Sequence, residues 1–447
     1  MQSTTKFLAA SALTLACALP AWAALPIQKW QQASGAQVWL VESPSLPIVD
    51  VEIDFDAGDR RDPADKAGLA SATASMTSKG IAASHGEPAL DENQLGEAWA
   101  DLGAGFDASA GGDRMSFALR SLTYPDLLPK ALQLAARQLG EPSFPENVWQ
   151  RERQRWVAAI REANTRPGTV ASRAFNQAVF GTHPYGYDTT EESLAHIGVQ
   201  DMRDFYRVLQ PCRAKVSVVG AVSRAQADQI ATTLLSRLPA GSCQALPVVP
   251  EVTPLAAAVE RDIPFQAAQA QVFIGQPGYK RSDPDYFPLL VGNYILGGGG
   301  FASRLTEEVR QKRGLSYSVY SYFAPGMHAG AFQIGLQTRP DQAAQAVQVS
   351  RDVLRRFVAE GPTEAELKAA KDFLIGGFAL RIDSNRKLLD NLANIAWYDL
   401  PLDYLDTWTK QVEKVTAPEI KAAFARKLQP DRMVTVVVGG NVAANRQ

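Results

Sequence analysis

The chain has 447 residues, 45 of them basic and 47 acidic, for a net charge of −2. So weak a charge excludes the basic surface that nucleic acid as a main partner requires. The length exceeds one ordinary core and points to two domains; three cysteines and ordinary glycine and proline content exclude a disulfide miniprotein, a fibrous chain and a disordered one.

The first element reads as a secretory leader. Lys6 is the sole charge before an apolar run from Phe7 to Leu19, too short to span a bilayer, and Ala21-Trp22-Ala23 is a small-x-small cleavage site. Cys17 lies inside that run, but its flanks make a poor lipoprotein box. Residues 1–23 are therefore expected to leave a secreted chain, periplasmic if the source has two membranes. No later segment is long and apolar enough to cross a membrane.

Residues 24–240 read as a first α+β domain. Val38–Glu42 and Val49–Asp56 alternate apolar and polar, as strands with one buried face do, with Pro44 and Pro47 in their connection. Gly68–Met76 reads as a helix, with Gly80 ending that region, and Arg114–Leu122 as a strand. Leu127–Leu139 and Asn147–Asn164 read as helices, the second stopped by Arg166-Pro167-Gly168. Lys215–Gly220 is a buried strand, followed by a helix near Ala225–Arg237. Cys212 opens that strand and Cys243 follows the returning helix, so a disulfide is possible in an oxidising compartment; two free buried thiols fit the same sequence. Residues 241–259, rich in Pro and Ala, read as a linker, and 260–447 as a second domain.

The second domain repeats the first. LQPCRAKVSVVG (209–220) returns as LQPDRMVTVVVG (428–439), and Val51–Ala70 parallels Val272–Leu290, each with an Asp-Pro turn, Asp62-Pro63 and Asp283-Pro284. A period of about 220 residues means duplicated domains, since solenoid units are far shorter.

Two segments carry candidate chemistry. GLASATASMTSKG, from Gly68 to Gly80, reads as a helix of small residues with no imidazole, thiol or carboxylate, and its interest lies in the resemblance given below. In GGGGFASRLTEEVRQKRGLSYSVYSYF, from Gly297 to Phe323, a predicted helix (Ser303–Lys312), a stop at Gly314 and a predicted strand (Leu315–Ser321) can aim Arg310 and Tyr317 at one spot. On residues alone, Arg310 equally suits a surface pair with Glu307, and Tyr317 a packing role in the sheet. The glycine run lacks the Lys that a phosphate loop needs. The four histidines, His85, His183, His196 and His328, show no metal-ligand spacing and read as structural.

Together with FGTHPYG, these segments make the chain resemble the pitrilysin/insulinase metallopeptidases over nearly its whole length after the leader. That family's inverted zinc motif, His-x-x-Glu-His, falls here on Ser71, Ala74 and Ser75, which offer neither imidazole nor carboxylate. The family's distal glutamate falls on Glu152. It reads as a relic or as a charge on the helix's solvated face, and NVWQRERQRW favours the solvated face.

The resemblance implies two homologous α+β, sandwich-like domains forming half of a clam-shell chamber. It implies that Arg310 and Tyr317 bind peptide and that the loop with Gly298 and Gly299 touches it. This chain would bind no cofactor of its own. Zinc would sit in a homologous secreted subunit carrying an intact His-x-x-Glu-His, and the pair would degrade peptides or unfolded segments. The alternative is a peptide-binding scaffold with no proteolytic role.

Overall fold

The computed structural model describes residues 26–241 and 243–440, so the expected leader, residues 1–23, lies outside the described residues. The first unit contains β1 (Gln28–Gln31), β2 (Gln37–Glu42), β3 (Ile48–Phe55), β4 (Gly80–Ile81), β5 (Leu90–Asp91), β6 (Gly105–Ala110), β7 (Met115–Leu122) and β8 (Lys215–Gly220). Six of these form one sheet in the order β1-β2-β8-β3-β7-β6; β4 and β5 pair separately. The second unit contains β9 (Val259–Ile263), β10 (Ala270–Pro277), β11 (Ser316–Phe323), β12 (Ala331–Thr338) and β13 (Val434–Val438), in the order β11-β12-β10-β13-β9.

Matching β6 with β11, β7 with β12, β3 with β10, β8 with β13 and β2 with β9 makes the two orders identical. The single parallel contact recurs too, β2 with β8 and β9 with β13. The repeated segments end in β8 and β13, so the duplication read from sequence is a duplicated α+β topology. Strand β1 is an addition to the first sheet.

In β3 the alternation IVDVEIDF sends Val49, Val51, Ile53 and Phe55 into the first unit's own core. Asp50, Glu52 and Asp54 point to the opposite face. That face is not left to water: the helix Asn385–Trp397 of the second unit lies across β2, β8 and β3, with Leu388, Leu389 and Leu392 clustered against Trp39, Val41 and Val219. The exchange is reciprocal. Helix Pro167–Phe180 of the first unit lies on β10 and β13, burying Ala171, Phe175 and Val179 against Phe273, Val434 and Val436. The proline expected only to stop a helix at 166–168 therefore also starts one. Pro167 sits in the first helical turn, where its missing N–H costs nothing.

The imported helix buries acids. Asp50 is 3% exposed and Asp54 fully buried. Arg114 reaches Asp54 at 3.0 Å and Glu52 at 3.6 Å, and Ser116 donates to Asp54. Burial, then the neighbouring Asp54 charge, pushes Glu52 up from 4.5 to about 8. The folded chain thus holds a proton that the unfolded chain releases near pH 4.5, so this group's contribution to stability falls as pH rises from 4.5 to about 8. Melting temperature is expected to drop over that window, and E52Q, which cannot titrate, is expected to flatten the drop in parallel thermal scans.

The described residues between helix Arg224–Leu235 and β9 form no regular element, as a linker would, but the segment is fastened at several points. Cys243 is bridged to Cys212, Pro250 accepts from His183 at 3.0 Å, and Glu251 meets Lys280 at 2.5 Å and His328 at 3.2 Å. A chain starting at residue 24, unfolded without reductant, is expected to show no free thiol and to show two after reduction. Two thiols before reduction would contradict the bridge.

Candidate functional site

The helix at the metal-motif positions runs Leu69–Met76 and is capped from a distance. The Asp62 carboxylate, from the Asp-Pro turn, accepts from the amides of Gly68 at 2.8 Å and Ala70 at 2.9 Å. On this helix Ser71 is half-buried and donates to Asp59 at 3.0 Å, Ala74 is buried, and Ser75 is half-buried. Burial raises the Asp59 carboxyl above its ordinary value, partly offset by the Ser71 bond.

Glu152 corrects the expectation of a solvated charge. Its helix, Glu146–Ala163, turns Trp149 and Glu152 inward, and Glu152 is only 6% exposed. Arg151 binds it at 2.8 Å and Arg155 at 3.1 Å. Burial raises the carboxyl, but the Arg151 hydrogen bond and the charges of Lys79 and Arg155 outweigh it and hold the group below its ordinary range. Cations of the protein already occupy this carboxylate. With serine, alanine and serine on the helix, the residues do not fit a zinc ion. Among the described residues no cluster of three or more His, Cys, Asp or Glu has metal-binding geometry.

Sequence separation hid one histidine pair. His183 and His328 meet edge to face at 5.3 Å, beside Tyr185. His183 accepts from the Tyr185 amide at 3.1 Å through Nδ1 and donates to Pro250 through Nε2, so both nitrogens are engaged on a neutral ring. Burial lowers its pKa accordingly. Tyr185 in turn donates to Asp113, which Arg60 meets at 3.1 Å. Tyr185, Asp113 and Arg60 wall a cavity of about 550 Å³ between the two units, which Asp59 and Tyr322 also line.

Arg310 and Tyr317 do meet. The expected helix is wider than an α-helix over most of its length: Thr306–Gln311 is π-helical, followed by Gly314 at φ 59°. Strand β11 is an outer strand, and its register shifts between Ser316 and Val319, which leaves Tyr317 in a bulge and 80% exposed. The Arg310 guanidinium lies 4.6 Å from the Tyr317 ring and 4.7 Å from Phe301, itself 71% exposed. Sequence reasoning missed Phe301. An aromatic directly after the glycine run was the available signal. Glu307, the alternative partner, pairs with Lys312 at 2.9 Å; among the described residues no carboxylate pairs with Arg310.

The glycines serve packing first. A Cβ on Gly297 would stand 2.4 Å from Ser321 of β11, and one on Gly299 would stand 2.7 Å from the Tyr294 carbonyl. Gly298 is exposed, and its Cβ would meet the Asn293 amide at 2.9 Å. Asn293 and Ser321 bond reciprocally at 3.0 and 2.7 Å, which clamps this turn to the edge strand.

Comparison with known proteins gives the family and the fold. Residues 37–192 match the model of the insulinase family (peptidase family M16), and residues 196–374 that of the peptidase M16 inactive domain. The crystal structure of a peptidase M16 inactive domain from Pseudomonas fluorescens is similar at a TM-score of 0.88 and 34% identity, over 94% of this chain and 99% of that one. The non-peptidase homolog YmxG of Helicobacter pylori is 28% identical over 63% of this chain; the match spans 65% of that relative, slightly under two thirds of its length. The periplasmic protease PqqL of Escherichia coli shares the fold at a TM-score of 0.78 and 17% identity, with 93% of this chain covering 45% of that one. The chain from residue 24 onward, purified with zinc supplied, is expected to hold far less than one zinc per molecule by mass spectrometry of the metal. Stoichiometric zinc would overturn the misfit at Ser71, Ala74 and Ser75.

Proposed function

Because this chain belongs to the insulinase (peptidase M16) family, we propose that it is the zinc-less, substrate-binding subunit of a secreted two-chain metallopeptidase. The observation that carries this reading is a contrast within one chain. The metal positions are closed by Ser71, Ala74 and Ser75 with Glu152 held by arginines, while Arg310 stands among exposed aromatic groups and pairs with no carboxylate among the described residues. A homologous secreted subunit with an intact His-x-x-Glu-His would bring the zinc, and the two chains would close on a peptide or unfolded segment. The leader expected at 1–23 suits a periplasmic setting.

This chain's part is binding and charge stabilisation. An extended peptide adds to an outer strand through backbone hydrogen bonds, and β6 and β11 are outer strands at equivalent places in the repeat. The rings of Phe301 and Tyr317 hold the guanidinium between them, which reduces the motion lost when it donates to a peptide carbonyl. Tyr317 adds a second donor. Both can support negative charge developing on that oxygen. Gly298 and Gly299 lie where the same peptide would pass.

The isolated chain should cleave nothing in a chelator-sensitive way. In the complex, Arg310→Ala is expected to lower kcat/KM about 100-fold, as loss of one oxyanion donor does. An unchanged rate would remove the assigned role. The name of the Helicobacter pylori relative, a non-peptidase homolog, favours a second reading: a peptide-binding scaffold. A complex that binds peptide through Arg310 yet never cleaves it would select that reading.

A further inference from the structure

The outer strand β6 borders a second cavity, apart from the Arg310 site. It measures about 380 Å³ and lies between β3, β7, β6 and the first turns of helix Asn385–Trp397. Asp50, Glu52, Asp107 and Asp390 line it, against Arg120 and Arg386. The register explains its shape. Asp50 stands opposite Arg120, which stands opposite Gly105; Glu52 stands opposite Ala118, which stands opposite Asp107. Glycine and alanine leave the floor low between acidic walls.

The balance of charge is incomplete. Asp50 is 3% exposed; its Oδ1 accepts from Arg120 at 3.1 Å, while its buried Oδ2 has no hydrogen-bond partner among the described residues. A buried carboxylate oxygen without a donor is costly, and a cation entering the cavity would relieve it. The carboxylates do not converge on a metal position among the described residues. A volume of 380 Å³ instead suits an organic cation with its aliphatic stem.

We propose that this cavity receives the arginine or lysine side chain of an extended peptide laid along the outer edge of β6. Gly105 and Asp107 face the cavity from β6, so every second side chain of an added strand would project over the same face. The inference rests on the reading of the chain as a peptide binder and adds its substrate preference: a basic residue.

The test uses two fluorescein-labelled extended octapeptides, identical except for a central arginine or norleucine, titrated by anisotropy against the chain from residue 24 onward. The arginine peptide is expected to bind about tenfold more tightly. Asp50→Asn should erase most of that ratio, whereas Glu52→Gln, at a group that already carries a proton near neutral pH, should change it little. Asp107→Asn and Asp390→Asn alter exposed residues that the fold does not need, and each should reduce the ratio about threefold. Equal binding of the two peptides overturns this inference and leaves the peptide reading standing. So does an arginine preference that persists in Asp107→Asn and Asp390→Asn together. If neither peptide binds, the peptide reading falls and this inference falls with it.

Discussion

Each sheet of this protein is completed by a helix from the other half. Helix Pro167–Phe180 covers the second sheet, and helix Asn385–Trp397, its counterpart about 218 residues on, covers the first. A sheet with one solvated face would need polar residues along all of it. Here Trp39, Val41 and Val219 on that face are buried with Leu388, Leu389 and Leu392. Such side chains contribute about 1.5–3 kcal/mol each when buried. Neither unit can keep that apolar surface dry alone, so the exchange joins two duplicated units into one body.

The exchange also dictates the electrostatics. A helix laid across β3 must cover Asp50, Glu52 and Asp54, and buried carboxylates need partners. Neighbouring strands provide them through Arg114 and Arg120. Lys215 of β8 performs a related task for the helix, donating to the carbonyls of Ala396 and Trp397 at 2.7 and 3.1 Å. A lysine of one unit thus satisfies the C-terminal end of the other unit's helix, where a cation also suits the dipole. Where the helix stops covering the sheet, towards β7 and β6, the compensation runs out and the acidic cavity opens.

Much of this was legible in the amino-acid order, and the misses share a physical cause. The repeated LQP segments fixed the duplication, and the alternation of β3 separated its two faces. Alternation tells which side chains share a face, not what covers that face, so the helix over the acids of β3 could not be read from it. Glu152 was misread for the same reason: the sequence displays its charged neighbours on the helix, but its burial depends on how that helix sits on the unit. Pro167 read as a stop because a first-turn proline and a terminating proline look alike without the next helix's contacts. The Arg310–Tyr317 pair was visible as a spaced motif; Phe301, also against the guanidinium, had only its place directly after the glycine run to mark it, and the folded turn brings it there. His183 and His328 are far apart in the chain and meet only through the packing of the units.

The two copies have diverged at equivalent edges. In the second unit the outer strand β11 presents Tyr317 and the guanidinium stacked on it, a cationic and aromatic surface. In the first, β6 runs beside Asp50, Glu52 and Asp107, an acidic one. A strand added to either edge uses the same backbone hydrogen bonds, so the distinction lies in side chains alone. On the proposed reading the cationic edge faces the carbonyl whose charge grows during cleavage, and the acidic edge selects a basic residue elsewhere on the same peptide. The two edges occupy equivalent places in the repeat, and the serine and alanine at the metal-motif positions put no metal in the first unit on that reading. Arg151 and Arg155 pair with Glu152 in that region. What the unit lost in chemistry it can retain in recognition, because β6 and the acids of β3 belong to the sheet rather than to the metal helix.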